Sequence, residues 1–163
     1  MGEIMGFLDL FRNNATLWNN KGVEFIKSGD HQEALHCFNR ALKLEPKSPE
    51  IWYNRAATLW ELERRYEAVK DYDVVLSLDP GHVGAWFNLG VILSGLNKHN
   101  DALDCFNIAL ELEPHDAEAW CVKGFTLKKL GRTQEAMECL DMALELDPGL
   151  WSLEKGKEIS HSF

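Results

Sequence analysis

The chain has no apolar run that approaches the roughly 18 residues of a membrane-spanning helix. Residues 1–14 lack a basic leader ahead of their apolar positions and show no clear cleavage site, so they do not resemble a signal peptide. Both absences predict a soluble protein without a membrane span, and the cytoplasm is the expected location.

Cysteine is scarce, and its arrangement is not typical of a metal centre. The chain has four cysteines and no Cys-x-x-Cys motif, and His36–Cys37 is an isolated neighbouring pair. Such a pair cannot supply the four ligands of a zinc site. We therefore expect reduced thiols, and we predict no metal site and no cofactor.

Catalytic motifs and a broad basic surface are also missing. The sequence has no glycine-rich phosphate loop, and its six histidines are scattered without nucleophile partners. We therefore predict that the chain is not an enzyme. Its 17 basic residues stand against 26 acidic ones, giving a net charge of −9. Nucleic acid is not an expected partner, because binding it requires a basic face.

What the chain does contain is an internal repeat of 34 residues. Two residue types keep this interval, which indicates one supersecondary unit copied four times. They are Trp18, Trp52, Trp86 and Trp120, and Pro46, Pro80, Pro114 and Pro148. The copies span 15–48, 49–82, 83–116 and 117–150, and we number the positions within each copy from 1 to 34.

Each copy is expected to form two helices. Small residues at positions 8 and 20 would let these helices approach closely. Apolar residues at positions 24, 27 and 28 follow position 20 at helical spacing and form one apolar stripe along the second helix. The proline at position 32 ends the second helix. The small residues are Gly22, Ala56, Gly90 and Gly124 at position 8, and Ala34, Ala68, Ala102 and Ala136 at position 20.

These residues resemble the tetratricopeptide repeat (TPR), a helix–turn–helix unit, over residues 15–150. The resemblance implies an all-α, TPR-type α-solenoid of four repeats with short capping segments at both ends. Position 7, often leucine in the family, departs from the pattern in three of the four copies. It holds Lys21, Arg55, Leu89 and Lys123.

The two ends are expected to differ from the repeats. Residues 1–14 carry apolar side chains at helical spacing and form an amphipathic segment. This segment is expected to cap the first copy, or to plug the groove of its own or a neighbouring molecule. A membrane-surface anchor is the weakest interpretation, because Arg12 is the only base. Residues 151–163 are expected to form a partial capping helix.

The resemblance further implies that the first helices line a concave groove. Position 6 holds Asn20, Asn54 and Asn88, and an asparagine amide both donates to and accepts from a peptide backbone. Family members that bind extended peptides use asparagines at this place. The alternative is that these amides bond to neighbouring helices and only fix their stacking.

Large apolar side chains follow the same face at positions 5, 9 and 12. Tyr53, Trp60, Phe87 and Phe125 are candidate ligand contacts, although Phe125 also suits packing between adjacent first helices. A basic group in the fourth copy includes Lys128 and Arg132, and it suits an acidic segment or a free carboxylate. Its alternative role is that of a solvated helix face.

Together these features predict a non-catalytic protein–protein interaction scaffold. Its partner is expected to be a protein or peptide, bound as an extended segment in the concave groove. The alternative is a self-assembling structural protein, a homodimer that forms through residues 1–14 or through the groove.

Overall fold

The computed structural model describes residues 14–151, and this part of the chain is all-α. Its eight α-helices are α1 (Ala15–Ser28), α2 (His31–Leu44), α3 (Pro49–Glu61), α4 (Arg65–Leu78), α5 (Val83–Gly95), α6 (His99–Leu112), α7 (Ala117–Lys129) and α8 (Thr133–Leu146). A short 3-10 helix, Pro148–Trp151, follows. The expected N-terminal segment, residues 1–14, and the expected C-terminal capping helix, residues 151–163, lie outside the described residues except for Asn14 and Trp151.

Each 34-residue copy forms one antiparallel helical hairpin, and local sequence signals set its boundaries. Asn14 caps α1 by accepting a hydrogen bond from the Leu17 amide at 3.1 Å, and Asp116 caps α7 through the Ala119 amide at 3.0 Å. Pro49 begins α3, where a missing N–H has no cost. Every second helix ends two residues before the proline of its copy, as the sequence predicts.

The chain divides into two compact units, Met1–Pro80 and Gly81–Phe163. The N-terminal unit contains α1 to α4, and its core is centred on Phe38, Ile51 and Tyr72, each at most 2% exposed. The C-terminal unit contains α5 to α8, with Phe106 and Leu127 equally well buried. Each unit thus has an apolar interior of its own.

The two residue types that define the repeat are physically linked. The indole N–H of Trp52 donates to the carbonyl oxygen of Pro46 at 2.8 Å, and that of Trp120 donates to the carbonyl oxygen of Pro114 at 2.9 Å. In both cases the tryptophan of one copy is tied to the proline of the copy before it. The shared period of tryptophan and proline therefore reflects a contact between successive repeats.

Close approach within each hairpin explains the glycines at position 8. A Cβ atom added at Gly22 would lie 2.6 Å from Cε1 of Phe38, and one at Gly90 would lie 2.6 Å from Cε1 of Phe106. In these two copies the ring at position 24 therefore occupies the space of the missing side chain. In the fourth copy Leu140 takes this place, with Cγ 2.8 Å from a Cβ added at Gly124. The second copy has Ala56, which is fully buried, so its hairpin accommodates a Cβ atom here.

Candidate peptide-binding surface

The asparagine at position 6 of the second copy is held by a chain of side-chain hydrogen bonds. Nδ2 of Asn54 donates to Oδ1 of Asn19 at 3.0 Å, and Nδ2 of Asn19 donates to Oε1 of Glu50 at 2.8 Å. An ionised carboxylate only accepts, so Glu50 fixes the orientation of the Asn19 amide, and Asn19 in turn fixes that of Asn54. This bond joins α3 to the neighbouring first helix α1, as the stacking alternative expects, and it uses Nδ2 of Asn54 but not its Oδ1.

The other two asparagines of this row differ in their surroundings. Asn20 is exposed on α1 in the N-terminal unit, and Asn88 is partly buried on α5 in the C-terminal unit. The same position in the last copy holds Val122, which is only 4% exposed. Sequence reasoning missed Asn19 and Glu50 as functional residues, because Asn19 stands at position 5, where the next two copies carry an aromatic ring.

The candidate aromatic contacts are partly buried side chains that rest on the hairpin core. The ring of Tyr53 meets that of Tyr72 edge to face at a centroid distance of 5.7 Å. The ring of Phe87 lies 6.1 Å from that of Phe106. Tyr53 and Phe87 therefore each pack against the aromatic residue at position 24 of their own copy, and each keeps part of its surface accessible.

Trp60 and Phe125 complete the aromatic set. Trp60 is partly buried near the end of α3, and the guanidinium of Arg65 lies 5.3 Å from its ring centroid. A cation at this distance favours a fixed ring orientation. Phe125 is partly buried on α7 in the C-terminal unit.

The basic group of the fourth copy is divided by its local contacts. Arg132 forms a bidentate pair with Glu135 at 2.7 and 2.6 Å, which holds the pKa of the Glu135 carboxyl below its usual range. Lys128 is exposed, whereas Nζ of Lys123 lies 4.8 Å from the ring centroid of Trp120. These cations therefore do not share one environment.

Position 7 accommodates its charged residues by stacking them on the tryptophan at position 4. Lys21 lies over Trp18 at 5.7 Å, and Arg55 lies over Trp52 at 4.4 Å. The alkyl stem of such a residue covers apolar surface while its charge remains near solvent. The departure from leucine at this position is thus compatible with the hairpin.

Arg55 also forms an ion pair that sequence reasoning missed. Its Nε and Nη2 donate to the two carboxylate oxygens of Asp71 at 2.7 and 2.8 Å, and its Nη1 donates to Oδ1 of Asn39 at 2.8 Å. Asp71 is only 4% exposed. The usable signal was the joint appearance of arginine at position 7 and aspartate at position 23, where the other three copies have cysteine.

The four cysteines are buried free thiols. Burial raises the pKa of three of them above the ordinary thiol value (Cys37, Cys121 and Cys139). Between residues 14 and 151 there is no cluster of three or more His, Cys, Asp or Glu side chains that could hold a metal ion. Over the same range, every helix is too short or too polar to span a membrane.

Family models for the tetratricopeptide repeat match all four copies. One model matches residues 15–48, 83–116 and 117–150, and a second matches residues 49–82. The chain belongs to the tetratricopeptide repeat family. Together with the helical hairpins, this match confirms the all-α TPR-type fold class, and it supports a protein-interaction scaffold, a role that is typically non-enzymatic.

Solved structures of MamA are similar in fold. A crystal structure of MamA shares 18% identity with a TM-score of 0.83, covering 88% of this chain and 84% of the other. MamA from Desulfovibrio magneticus RS-1 shares 24% identity with a TM-score of 0.81, covering 91% and 82%. MamA from AMB-1 shares 26% identity with a TM-score of 0.75, covering 88% and 78%. A search of curated proteins found no match.

Proposed function

We propose that this scaffold binds an extended segment of another protein through side chains on its first helices, α1, α3, α5 and α7. Backbone contacts come from Asn20, Asn54 and Asn88, and side-chain contacts come from Tyr53, Trp60, Phe87 and Phe125. The observation that carries the proposal is the fixed orientation of the Asn54 amide.

A fixed amide suits backbone recognition because it is already oriented before the ligand arrives. Glu50 and Asn19 hold the Asn54 amide through its Nδ2, and its Oδ1 would accept a peptide N–H. A preorganised acceptor loses little conformational entropy on binding. Each such hydrogen bond contributes about 1 kcal/mol net, so the three asparagines set register and direction more than affinity.

Affinity must therefore come mainly from the aromatic rings. Complete burial of one large apolar side chain contributes about 1.5–3 kcal/mol. Tyr53 and Trp60 are already partly buried, so each gains only part of that amount from a ligand. Several such contacts combined with the amide bonds predict micromolar binding of a peptide that carries apolar residues.

The two basic residues make a smaller, salt-dependent contribution. Lys128 is exposed and would pair with an acidic residue of the ligand. Arg132 would first have to leave Glu135, to which it is bound at 2.6 and 2.7 Å. Exposed ion pairs are weak and are screened by salt, so we assign Lys128 the larger share.

The test begins with selection of peptide ligands for the full chain from a random displayed library. Affinities of the best peptide are then measured by fluorescence polarisation for the wild type, Asn54→Ala and Trp60→Ala. Asn54→Ala should weaken binding about fivefold, the equivalent of one net hydrogen bond. Gln32→Ala, a change at an exposed amide side chain on the second helix α2, is the matched control and should bind like the wild type.

Two results would argue against the proposal. Equal affinities for Asn54→Ala and wild type would remove the asparagine row from the mechanism. Loss of the helical circular dichroism signal in Trp60→Ala would show that this ring belongs to the core. Sedimentation velocity tests the self-assembly alternative, which requires a dimer that dissociates when residues 1–14 are removed or when the selected peptide fills the groove.

A further inference from the structure

Two equivalent clefts lie beside the position 7 cations, one in each unit. The N-terminal cleft, of about 390 Å³, is lined by Asn39, Arg55 and Asp71 among others. The C-terminal cleft, of about 470 Å³, is lined at the same three positions of its copies by Asn107, Lys123 and Cys139. Because the repeat places these residues alike, the first cleft is an internal reference for the second.

In the N-terminal cleft the chain supplies its own carboxylate. Asp71 accepts two hydrogen bonds from Arg55, at 2.7 and 2.8 Å, and Asn39 accepts a third from the same guanidinium at 2.8 Å. Trp52 stacks beneath the cation at 4.4 Å. The cation of this cleft is therefore satisfied from within the unit.

In the C-terminal cleft a cation of the same position lacks this partner. Lys123 lies over Trp120 at 4.8 Å, as Arg55 lies over Trp52, but Cys139 replaces the aspartate. Among residues 14–151, no carboxylate forms an ion pair with Lys123. A partly buried ammonium, an asparagine amide and an open cleft thus remain where the other unit places a carboxylate.

We infer that the C-terminal cleft binds an acidic side chain of a partner protein, whose carboxylate contacts Lys123 and Asn107. An Asp or Glu side chain is favoured because Asp71 provides the equivalent group in the N-terminal cleft. Lys123 is at position 7, so this site is separate from the asparagine row, but it shares Arg132 with the basic group assigned to the peptide ligand.

The surrounding charges restrict the partner further. Three exposed carboxylates line the same cleft, namely Asp104, Glu135 and Glu138, so a strongly acidic segment would be repelled. Glu135 is already paired with Arg132, and Lys123 contributes to the lowered pKa of its carboxyl. One acidic residue next to a lysine or arginine fits better, because the basic neighbour can pair with Asp104 and Glu138. The exposed side chain of Met142 also lines the cleft and offers apolar contact.

The experiment titrates the ¹⁵N-labelled full chain with three blocked dipeptides. The probes are N-acetyl-Lys-Asp amide, N-acetyl-Lys-Asn amide as the neutral control, and N-acetyl-Lys-Gly with a free carboxylate. The indole N–H of Trp120 and the backbone amides of Asn107 and Cys139 report binding. We expect saturable shifts with the aspartate probe at millimolar concentration, and weaker shifts with the other two.

Variants of the cleft make the test specific. Lys123→Leu introduces the residue found at position 7 of the third copy. It should lower the affinity for the aspartate probe about tenfold, as expected for the loss of one charge-assisted hydrogen bond. Cys139→Asp supplies an internal carboxylate, as in the N-terminal unit, and should block the site. In Cys139→Asn the new side chain has nearly the same shape as aspartate but no charge, so this variant should still bind the aspartate probe.

The inference is overturned by equal binding of the aspartate and asparagine probes, or by no saturable shift with either. It also fails if Cys139→Asp and Cys139→Asn bind the aspartate probe alike. Preference for the free-carboxylate probe would contradict the assignment to an acidic side chain. A circular dichroism spectrum of each variant shows that the helices persist, so lost binding is not mistaken for unfolding.

Discussion

The ion pair between Arg55 and Asp71 gives a prediction that the chain's own repeats help to design. Replacing Asp71 with cysteine introduces the residue that the other three copies have at position 23. Replacing Arg55 with leucine introduces the residue of the third copy at position 7. The double variant therefore reproduces a combination, Leu89 with Cys105, that already exists in this protein.

The expected magnitudes follow from burial. Removal of one partner from a buried ion pair costs about 3–5 kcal/mol, because the other charge remains desolvated. In Asp71→Cys the remaining Arg55 side chain is 21% exposed and keeps Asn39 as an acceptor, so we expect about 2–3 kcal/mol of destabilisation. In Arg55→Leu the remaining Asp71 side chain is only 6% exposed, so we expect about 3–4 kcal/mol.

The double variant removes both charges and should recover most of this loss. A buried ion pair replaced by apolar groups is often neutral in stability, and we expect a net change of about 1 kcal/mol or less. The singles and the double therefore define a double-mutant cycle with a coupling energy of about 4 kcal/mol or more. Such a value greatly exceeds the coupling of an exposed pair.

Urea unfolding of the full chain measures these free energies. Far-UV circular dichroism and tryptophan fluorescence are followed together, because coincident transitions are required for a two-state free energy. The reasoning is refuted if Asp71→Cys changes the free energy of unfolding by less than about 0.5 kcal/mol, the usual range for surface substitutions. It is equally refuted if the double variant lowers the free energy of unfolding by the sum of the two single-variant effects.

Three further predictions concern packing and thiols. Gly90→Ala should destabilise the C-terminal unit by about 1–3 kcal/mol in urea unfolding, because the added Cβ would press on Phe106. The control is Gly95→Ala, whose added Cβ meets nothing within 4 Å, and it should be neutral or slightly stabilising in the same assay. Labelling of the native protein with Ellman's reagent at pH 8 should be slow for the buried thiols with raised pKa, namely Cys37, Cys121 and Cys139. The same thiols should react fast in urea. Fast labelling without urea would contradict their burial. Because those thiols bind protons more tightly when folded, they should make the free energy of unfolding fall as pH rises through the ordinary thiol value of 9.0, and replacing all three with alanine should flatten that part of the curve.

The architecture was predictable because single positions repeat and act locally. Tryptophan at position 4 and proline at position 32 recur in every copy, and the structure joins two such pairs by a hydrogen bond from Trp52 to Pro46 and from Trp120 to Pro114. The glycine at position 8 of the first and third copies is explained by one ring in the same hairpin. Such features need no knowledge of distant side chains.

The details of the surface were less predictable because they depend on pairs that differ between copies. Arg55 finds Asp71 only in the second copy, and Asn54 is oriented by Asn19 and Glu50 through two successive hydrogen bonds. A position-by-position interpretation treats each of these residues separately and does not show which atoms meet. The assignment of the asparagine row and its aromatic neighbours to a peptide therefore stays a prediction.

Side-chain amide NMR is the most direct measurement of whether the first helices hold an extended peptide. The ¹⁵N-labelled full chain is titrated with the peptide selected from the library, and the NH₂ signals of all asparagines are followed. Binding at the proposed surface should shift the signals of Asn20, Asn54 and Asn88, while that of Asn39 on the second helix α2 stays in place. Shifts confined to Asn39 and Asn107 would contradict the proposed surface.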